Sequence, residues 1–281
     1  MAGLKELKRR LDSIRKIEKV AGAMKSAATA KYSVLSKLSS SLSEYSLSVK
    51  ELLSELGLAG AFEGKKTPER DAPSLFVIIS GNRGLCGGFN YELFSFFTNI
   101  YLSEKEKGTA PLVVTCGKKS KEYCASNSIV LEKSYETQDI PEYETAKELS
   151  EYLCNEYREG RIKSVRIVYQ KFENVMSQKP DCKYFLPEDD GLTPIDDDGG
   201  VSYYPDRKTV GTAVVGACLI AELYSLMLES ALGLQAATLT SMRTAYDNAE
   251  ESEQILEKRI NTTRQGEITS GVIETAQNAE E

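Results

Sequence analysis

The segment GNRGLCGGFN at residues 81–90 contains the residues of this chain whose types and spacing could do chemistry. It follows a short apolar run and precedes a helix-like stretch, a position in which backbone N–H groups can cradle a phosphate. However, it lacks the GK(S/T) ending of a P-loop, fits GxGxxG poorly and shows no clear ribose-binding acid about 20 residues further on. The structural interpretation is a tight turn and close packing of a helix on a sheet. The loop-forming residues are then Gly81, Arg83, Gly84, Gly87 and Gly88.

Cysteine and histidine usage limits the chemistry further. Cys86 could be a low-pKa thiol at a helix start, or a small packed hydrophobic side chain. The six cysteines are far apart and form no CxxC pair, so we expect free thiols. The chain has no histidine, which removes Ser-His and Cys-His catalysis and the commonest metal ligand. We therefore expect no catalytic residue, no cofactor and no metal ion.

The elements that position this segment follow from proline placement. All eight prolines fall between residues 68 and 205, which leaves flanks of 67 and 76 residues free to form long helices. In both flanks apolar or small residues recur in steps of three and four, as on one narrow face of a helix. In the first flank these residues are Leu4, Leu7, Leu11, Ile14, Ile17, Ala21, Met24, Ala28, Tyr32, Leu35, Leu38, Leu42, Tyr45, Val49, Leu52 and Leu56. In the last flank they are Ala217, Ala221, Tyr224, Met227, Ala231, Leu234, Leu239, Met242, Ala245, Ala249, Leu256 and Ile260.

A stripe this narrow does not stabilise a lone helix in water, so each flank needs a partner. We expect the two flanks to pair as an antiparallel two-helix coiled coil; a closed helical bundle is the alternative. Two extra three-residue steps, ending at Ile17 and at Leu38, interrupt a strict heptad and predict a supercoil that varies along its length.

Between the flanks, strand-like and helix-like runs alternate. Strand runs at 74–80, 111–117 and 129–135 are separated by helical stretches, an amphipathic helix follows at 143–160, and a hairpin ends the unit. This order predicts a small, doubly wound, Rossmann-like α/β domain with an antiparallel edge. We place the N-terminal coiled-coil helix at 1–60, the α/β domain at 74–200 and the C-terminal coiled-coil helix at 207–281.

Charge and hydropathy suggest the class of partner. No run approaches the roughly 18 apolar residues of a membrane span, and the N-terminus lacks the apolar region of a secretory signal. The chain has a net charge of −7, yet residues 1–37 have ten Lys or Arg and only three acids. Because the rest is so acidic, an acidic protein partner is favoured over nucleic acid or a membrane surface.

The glycine segment is also similar to the (S/D)(D/N)RGLCGGFN signature of gamma subunits of the F-type ATP synthase. The opening LKELKRRLDSIRKIEKVAGAMKSAATAKY resembles the first helix of that family, and the closing SMRTAYDNAEESEQILEKRINTTRQGEIT resembles its last helix. The resemblance spans nearly the whole chain in the right order.

The resemblance implies a non-catalytic central-stalk subunit, which transmits rotation of the membrane c-ring to the catalytic head for ATP synthesis coupled to proton transport. Its partners would be three alpha and three beta subunits, epsilon, delta and the c-ring, on the cytoplasmic side of the cell membrane as a peripheral protein. Residues at positions that face beta in the family are Met24, Lys25, Arg264, Gln265 and Thr269. We expect polar contacts from Arg264 and Gln265, because a guanidinium offers several donors to acidic loops.

Two departures from the family pattern and two rival hypotheses remain. Leu234 and Thr238 stand where the family usually has Glu and Arg, and the chain ends in a polar GVIETAQNAEE instead of an apolar tip.

One rival hypothesis is a nucleotide-sensing or enzymatic α/β domain with coiled-coil arms, which predicts nucleotide binding that depends on Arg83 or Gly84. The other is a static coiled-coil scaffold, which predicts stable self-association.

Overall fold

The structure of the protein is a computed structural model in which residues 2–55, 72–108, 110–187, 204 and 206–277 are described. Five helices and five strands follow one another in these residues. They are α1 (Ala2–Glu55), β1 (Ser74–Ile79), α2 (Phe89–Lys105), β2 (Leu112–Cys116), α3 (Lys118–Ser126), β3 (Lys133–Tyr135), α4 (Tyr143–Arg158), β4 (Ser164–Asn174), β5 (Ser177–Leu186) and α5 (Arg207–Gln277). The predicted pair of long flanking helices around a small α/β domain is confirmed.

The chain forms two compact units. A helical unit combines Met1–Ala28 with Thr238–Glu281, and an α/β unit comprises Thr29–Ala237. Both α1 and α5 run from one unit into the other. The domain bounds proposed from the sequence, 1–60, 74–200 and 207–281, stay a prediction.

The α/β unit is built on one sheet with the order β3-β2-β1-β4-β5. β1 pairs in parallel with β2 and with β4, β2 pairs in parallel with β3, and β5 pairs antiparallel with β4. The predicted doubly wound sheet with an antiparallel edge is therefore correct. The third strand is shorter than predicted: it begins at Lys133, because Ile129 and Leu131 pack against the core as loop residues.

Alternation along β1 assigns its two faces. Leu75, Val77 and Ile79 belong to one core cluster together with residues of α4 and α5, whereas Phe76 and Ile78 belong to a second cluster with α2 and α3. All six residues of the strand are buried, as expected for the central strand of a parallel sheet covered by helices on both faces.

Helix α5 contains a window of 18 residues with a mean hydropathy of 1.7, which makes it long and apolar enough, by length and composition alone, to span a membrane. The expectation that no segment reaches this level was therefore wrong. Half of that window is buried inside the protein, where Cys218, Leu219, Leu223 and Met227 pack on the sheet. Covering the sheet thus explains the apolar composition of this stretch.

The β4-β5 hairpin extends beyond the end of β1 and is held by α5. Pairing of β1 with β4 ends at Val168, so the later residues of β4 have no strand on that side. The backbone N–H of Phe172 instead donates to the Glu229 carboxylate at 3.1 Å. Lys183 of β5 forms an ion pair with the buried Glu222 of α5. A helix side chain thus supplies the hydrogen bond that a neighbouring strand would provide.

Strand β5 forms the outer edge of the sheet, and at two of its positions the outward backbone donor is satisfied or missing. Pro180, opposite Gln170, has no N–H to offer. The Cys182 N–H lies on the same side of the strand two residues later, and it donates to the Asp181 carboxylate at 2.8 Å.

In the helical unit α1 and α5 pair in antiparallel fashion. The Arg15 guanidinium binds the carboxylates of Glu253 and Glu257, each at 2.7 Å, whereas Lys25 lies 4.4 Å from the ring centroid of Tyr246. Because the later position on α1 meets the earlier position on α5, the two helices run in opposite directions, as predicted.

Burial along α1 follows a strict heptad, and the predicted interruptions were wrong. Ile17 is 56% exposed and Leu38 is 38% exposed, whereas the next residues, Glu18 and Ser39, are partly buried. Tyr45 in the predicted stripe is exposed as well. The spacing between inward positions therefore alternates between three and four residues without a break. As a result, some polar residues lie in the contact face.

Candidate functional site

The glycine segment lies at the carboxyl ends of the parallel strands, beside the point where the strand order reverses between β1 and β4. Open α/β sheets bind ligands in such a crevice. Here α5 fills it: a Cβ atom on Gly81 would lie 2.9 Å from both methyl groups of Leu234. The cavity between the segment, the loop after β3 and α5 has a volume of only about 20 Å³. No nucleotide fits in that space.

Four backbone amides at the carboxyl ends of β1 and β2 are already bonded within the chain. Gly81 N–H donates to Asn90 Oδ1 at 3.2 Å, and at the start of α3 the Lys118 N–H donates to Asn82 Oδ1 at 2.9 Å. The next two amides of α3 bind the Gly81 carbonyl and the Ser80 hydroxyl. These bonds give the segment a structural role, because they tie it to the start of α3 and to Asn90 of α2.

The five predicted loop residues differ in what they do. Gly81 permits close approach of Leu234, and Gly87 has φ +60, a conformation that favours glycine. A Cβ on Gly88 would meet the Glu92 carboxylate, and one on Gly84 would meet nothing within 4 Å. Nothing in the structure explains the glycine at position 84.

Arg83 marks a contact between the loops and α1 that the sequence did not reveal. Its side chain is 76% exposed, and its nearest guanidinium nitrogen is 4.0 Å from Asp139 Oδ2. The same Asp139 oxygen accepts a 2.5 Å bond from Lys31 Nζ of α1. A bond between residues 108 positions apart leaves no signal in a single sequence.

Leu234, noted from the sequence as a departure from the family pattern, has a packing role. It covers Gly81, and its neighbour Gly233 lets α5 approach Phe89 and Gln178, both within 3.3 Å of a built Cβ. Leu234 thus makes an apolar contact at the position where the family usually has Glu.

Cys86 is a packed side chain and not an activated thiol. It is 3% exposed, and burial raises the pKa of its thiol. The Asn90 side-chain amide donates to its sulfur at 3.3 Å. All six cysteines are free, as predicted.

We expect the native thiols to be almost inert. Five of the six are buried, and burial raises the pKa of the half-buried Cys182 to about 11. Ellman's reagent at pH 8 should therefore titrate less than one thiol per chain in the time in which the urea-unfolded chain reacts at all six. Rapid modification of Cys86 in the native protein would contradict this packing.

The predicted partner-contact residues all lie in the helical unit, in two groups at different positions along its length. Met24 and Lys25 are partly buried on α1, with the Lys25 ammonium over the Tyr246 ring. On α5, Arg264, Gln265 and Thr269 are exposed. The Thr269 hydroxyl donates to the Gln265 carbonyl within the helix at 2.9 Å, and the side chains of Arg264 and Gln265 lie at the surface.

Within the described part of the chain, no group of three Cys, Asp or Glu side chains could hold a metal ion.

Comparison with known proteins places this arrangement in a family. The sequence model of the family described as ATP synthase matches residues 3–280. The ATP synthase gamma chain of Glaesserella parasuis is 29% identical over 280 residues, which cover 96% of each chain. The ATP synthase gamma chain of Desulforamulus reducens is 28% identical, with 98% of this chain and 97% of the relative covered.

Solved structures share the fold. A chain of the Euglena gracilis mitochondrial ATP synthase, from a structure comprising OSCP, F1 and the c-ring, matches with a TM-score of 0.65 and 16% identity. That match covers 99% of this chain and 93% of the other. A chain of the rotor of the same enzyme matches with a TM-score of 0.61 and 16% identity over 95% of this chain and 99% of the other.

Proposed function

Because this chain belongs to the ATP synthase family, whose model matches residues 3–280, we propose that it works as the central-stalk gamma subunit and transmits rotation between the membrane ring and the catalytic head. The match over almost the entire length is the observation that supports this function. The chain is a non-catalytic subunit; synthesis and hydrolysis of ATP take place in the head.

The partners are those of a gamma chain. Three alpha and three beta subunits form the head around the helical unit, and epsilon, delta and the c-ring complete the assembly. The chain is attached to the membrane through this complex, as a peripheral protein on the cytoplasmic side of the cell membrane. The rotation that it transmits couples ATP synthesis to proton transport.

Torque needs a shaft that resists twisting. Each of the helices α1 and α5 has residues in both the α/β unit and the helical unit. Each is one continuous helix with backbone hydrogen bonds along its length. In the helical unit the Arg15 guanidinium crosses to two carboxylates on the other helix, which resists sliding of one helix along the other. We divide the working molecule accordingly into the helices at 1–60 and 207–281, which turn in the head, and the domain at 74–200, which couples to the ring.

The contact with beta is assigned to Met24, Lys25, Arg264, Gln265 and Thr269. Exposure of the last three favours this assignment, since a guanidinium and an amide on a bare helix face can hydrogen-bond to acidic loops.

The first experiment mixes the chain with alpha and beta subunits from the same source. We expect a complex of three alpha, three beta and one copy of this chain with steady ATPase activity. The Arg264→Ala/Gln265→Ala variant should assemble yet turn over about tenfold more slowly, which corresponds to about 1.4 kcal/mol of lost stabilisation.

The matched control is Lys258→Ala/Gln254→Ala, which removes a cation and an amide from exposed positions on the same helix. Its turnover should stay within twofold of the unchanged chain. Failure of the unchanged chain to enter the complex would overturn the proposed function, and equal losses in both variants would overturn only the assignment of the contact.

A further inference from the structure

Residues 136–142, the brace segment, connect β3 to α4 and contact both long helices within the α/β unit. Lys31 Nζ of α1 donates to Asp139 Oδ2 at 2.5 Å. The Tyr224 hydroxyl of α5 donates to the Pro141 carbonyl oxygen at 3.3 Å. One short connection is therefore bonded to α1 and to α5 at positions only two residues apart.

The brace segment is itself held at both ends. It follows β3 directly, and the Asn82 side-chain amide of the glycine segment donates to the Thr137 carbonyl oxygen at 2.5 Å. At the other end, the ring of Tyr143, the first residue of α4, packs edge-on against the Tyr224 ring with the two centroids 5.7 Å apart. Because a strand, a loop and a helix hold the brace segment, it cannot shift without disturbing the sheet.

The two long helices are attached to the sheet in different ways. Helix α5 packs directly on it through the apolar residues between Val215 and Met227. Among the residues of α1 in this unit whose side chains the structure describes, only Leu35 is buried. Leu35 packs on Leu228 and Leu232 of α5. The buried apolar contact of α1 is therefore made with the other helix.

The ion pair adds a direction that this apolar contact lacks. Burial of apolar surface is non-directional, so it opposes separation of the helices more than rolling of α1 about α5. The bond from Lys31 to Asp139 lies one helical turn from Leu35, and Ile140 packs on the same cluster as Leu35. The Lys31 and Asp139 side chains are only 33% and 21% exposed, which shields this charge-assisted bond from solvent.

We propose that the brace segment positions α1 on the α/β unit, and that the Lys31–Asp139 pair makes α1 and α5 turn as one body when torque acts on this unit. This inference rests on the proposed function and deepens it, because it names positioning residues for the transmission of torque. Without the pair, α5 still follows the sheet, whereas α1 is held by apolar contacts and can roll against it.

The test measures how stiffly the α/β unit is coupled to the head in an assembled complex of three alpha subunits, three beta subunits and the full chain. Val130, which is 85% exposed on the loop before β3, is changed to cysteine to attach a bead, since the native thiols are buried or half-buried. With the head held on a surface and rotation halted, the angular spread of the bead reports the torsional stiffness. The chains compared in this background are unchanged, Lys31→Met, Asp139→Asn and the double variant.

We expect each single variant to raise the mean-square angular spread by about 1.5-fold, because α1 loses its directional bond to the brace segment. The double variant should show the same spread as either single variant, since both changes remove one bond. Lys31→Arg keeps the charge and should keep the original spread. The matched control is Lys119→Met, which removes a cation that is 35% exposed and pairs with Glu122 at 2.7 Å within α3; it should leave the spread unchanged.

Additive increases in the double variant would show that Lys31 and Asp139 act on different partners, and they would overturn the brace. An unchanged spread in Asp139→Asn would overturn it as well. Failure of the unchanged chain to assemble would instead count against the proposed function itself.

A cross-link in the unchanged chain keeps the proposal testable if a variant folds poorly. A carbodiimide joins an amine to a carboxylate that it touches, and it is applied to the assembled complex before mass spectrometry. An amide bond between Lys31 and Asp139 supports the brace. Linkage of Lys31 only to another chain, or to no carboxylate, contradicts it.

Discussion

Replacing Gly117 with alanine is expected to destabilise the α/β unit by about 3 kcal/mol or more, enough to prevent folding of a marginally stable protein. Gly117 joins β2 to α3 with φ +102, and a Cβ there would overlap the backbone oxygen of Ser80. The atom in the way belongs to the backbone of the residue that follows the central strand β1, and the N–H of Ser80 is itself bonded to the Cys116 carbonyl of β2, so neither residue can move aside without disturbing the sheet. Urea unfolding followed by circular dichroism measures the loss.

Gly87→Ala is the matched control, because it tests positive φ without the overlap. Gly87 has φ +60, and a Cβ there would meet no atom within 4 Å. We expect a cost of about 1 kcal/mol from the backbone conformation alone. If both variants lost the same stability, the contact with Ser80 would have no role of its own.

The second large effect is expected at Glu104, whose replacement by glutamine should cost about 3 kcal/mol at pH 7. This carboxylate is 4% exposed and is bonded to Ser74 Oγ at 3.0 Å, Lys107 Nζ at 3.1 Å and Arg166 Nη2 at 3.2 Å. Burial alone would raise the pKa of Glu104, but the hydrogen bonds from Lys107 and Ser74 and the charge of Arg166 together lower it to about 2. Glutamine keeps the shape and removes the charge, which leaves the partly buried guanidinium of Arg166 without its counterion.

The pH dependence of this cost follows from the direction of the pKa shift. Because the folded state holds the proton of Glu104 less tightly than the unfolded state, its contribution is fully present above about pH 4.5 and declines as the pH falls toward 2. The difference in the free energy of unfolding between the unchanged chain and Glu104→Gln should therefore shrink steadily from pH 5 to pH 2.5.

Glu122→Gln is the control for this measurement, since Glu122 also pairs with a lysine, at 2.7 Å, but is 46% exposed. Its replacement should change stability little at any pH. A difference for Glu104→Gln that stays constant between pH 7 and pH 2.5 would show that the charge of this carboxylate does not cause the loss.

Much of this fold could be predicted from residue patterns. Confinement of proline to the middle of the chain indicated the long helices α1 and α5, and the buried apolar runs indicated the strands of a doubly wound sheet. The sequence also favoured a structural role for the glycine segment, and the contact of Gly81 with Leu234 explains why a phosphate-binding position holds no space for a phosphate.

The remaining features depend on partners distant in sequence. Ile17 and Glu18 are adjacent, and only the course of the opposing helix decides which of them turns inward. Glu104 looks like any surface glutamate at the end of an amphipathic helix until Arg166, 62 positions later, is brought beside it. The apolar stretch of α5 was underestimated because glycines, alanines and Glu222 interrupt its larger side chains, although the whole stretch packs on a sheet.

The edge formed by β5 has a consequence for the life of the chain before assembly. A subunit of a many-membered complex spends time alone, and a sheet with a bare outer strand can then recruit a second copy and begin to polymerise. Pro180 has no N–H and the Cys182 N–H is already bonded to Asp181, so these two positions of β5 offer an incoming strand no donor, and β3 at the other edge is only three residues long. Both features disfavour edge-to-edge self-association of the chain before it assembles with its partners.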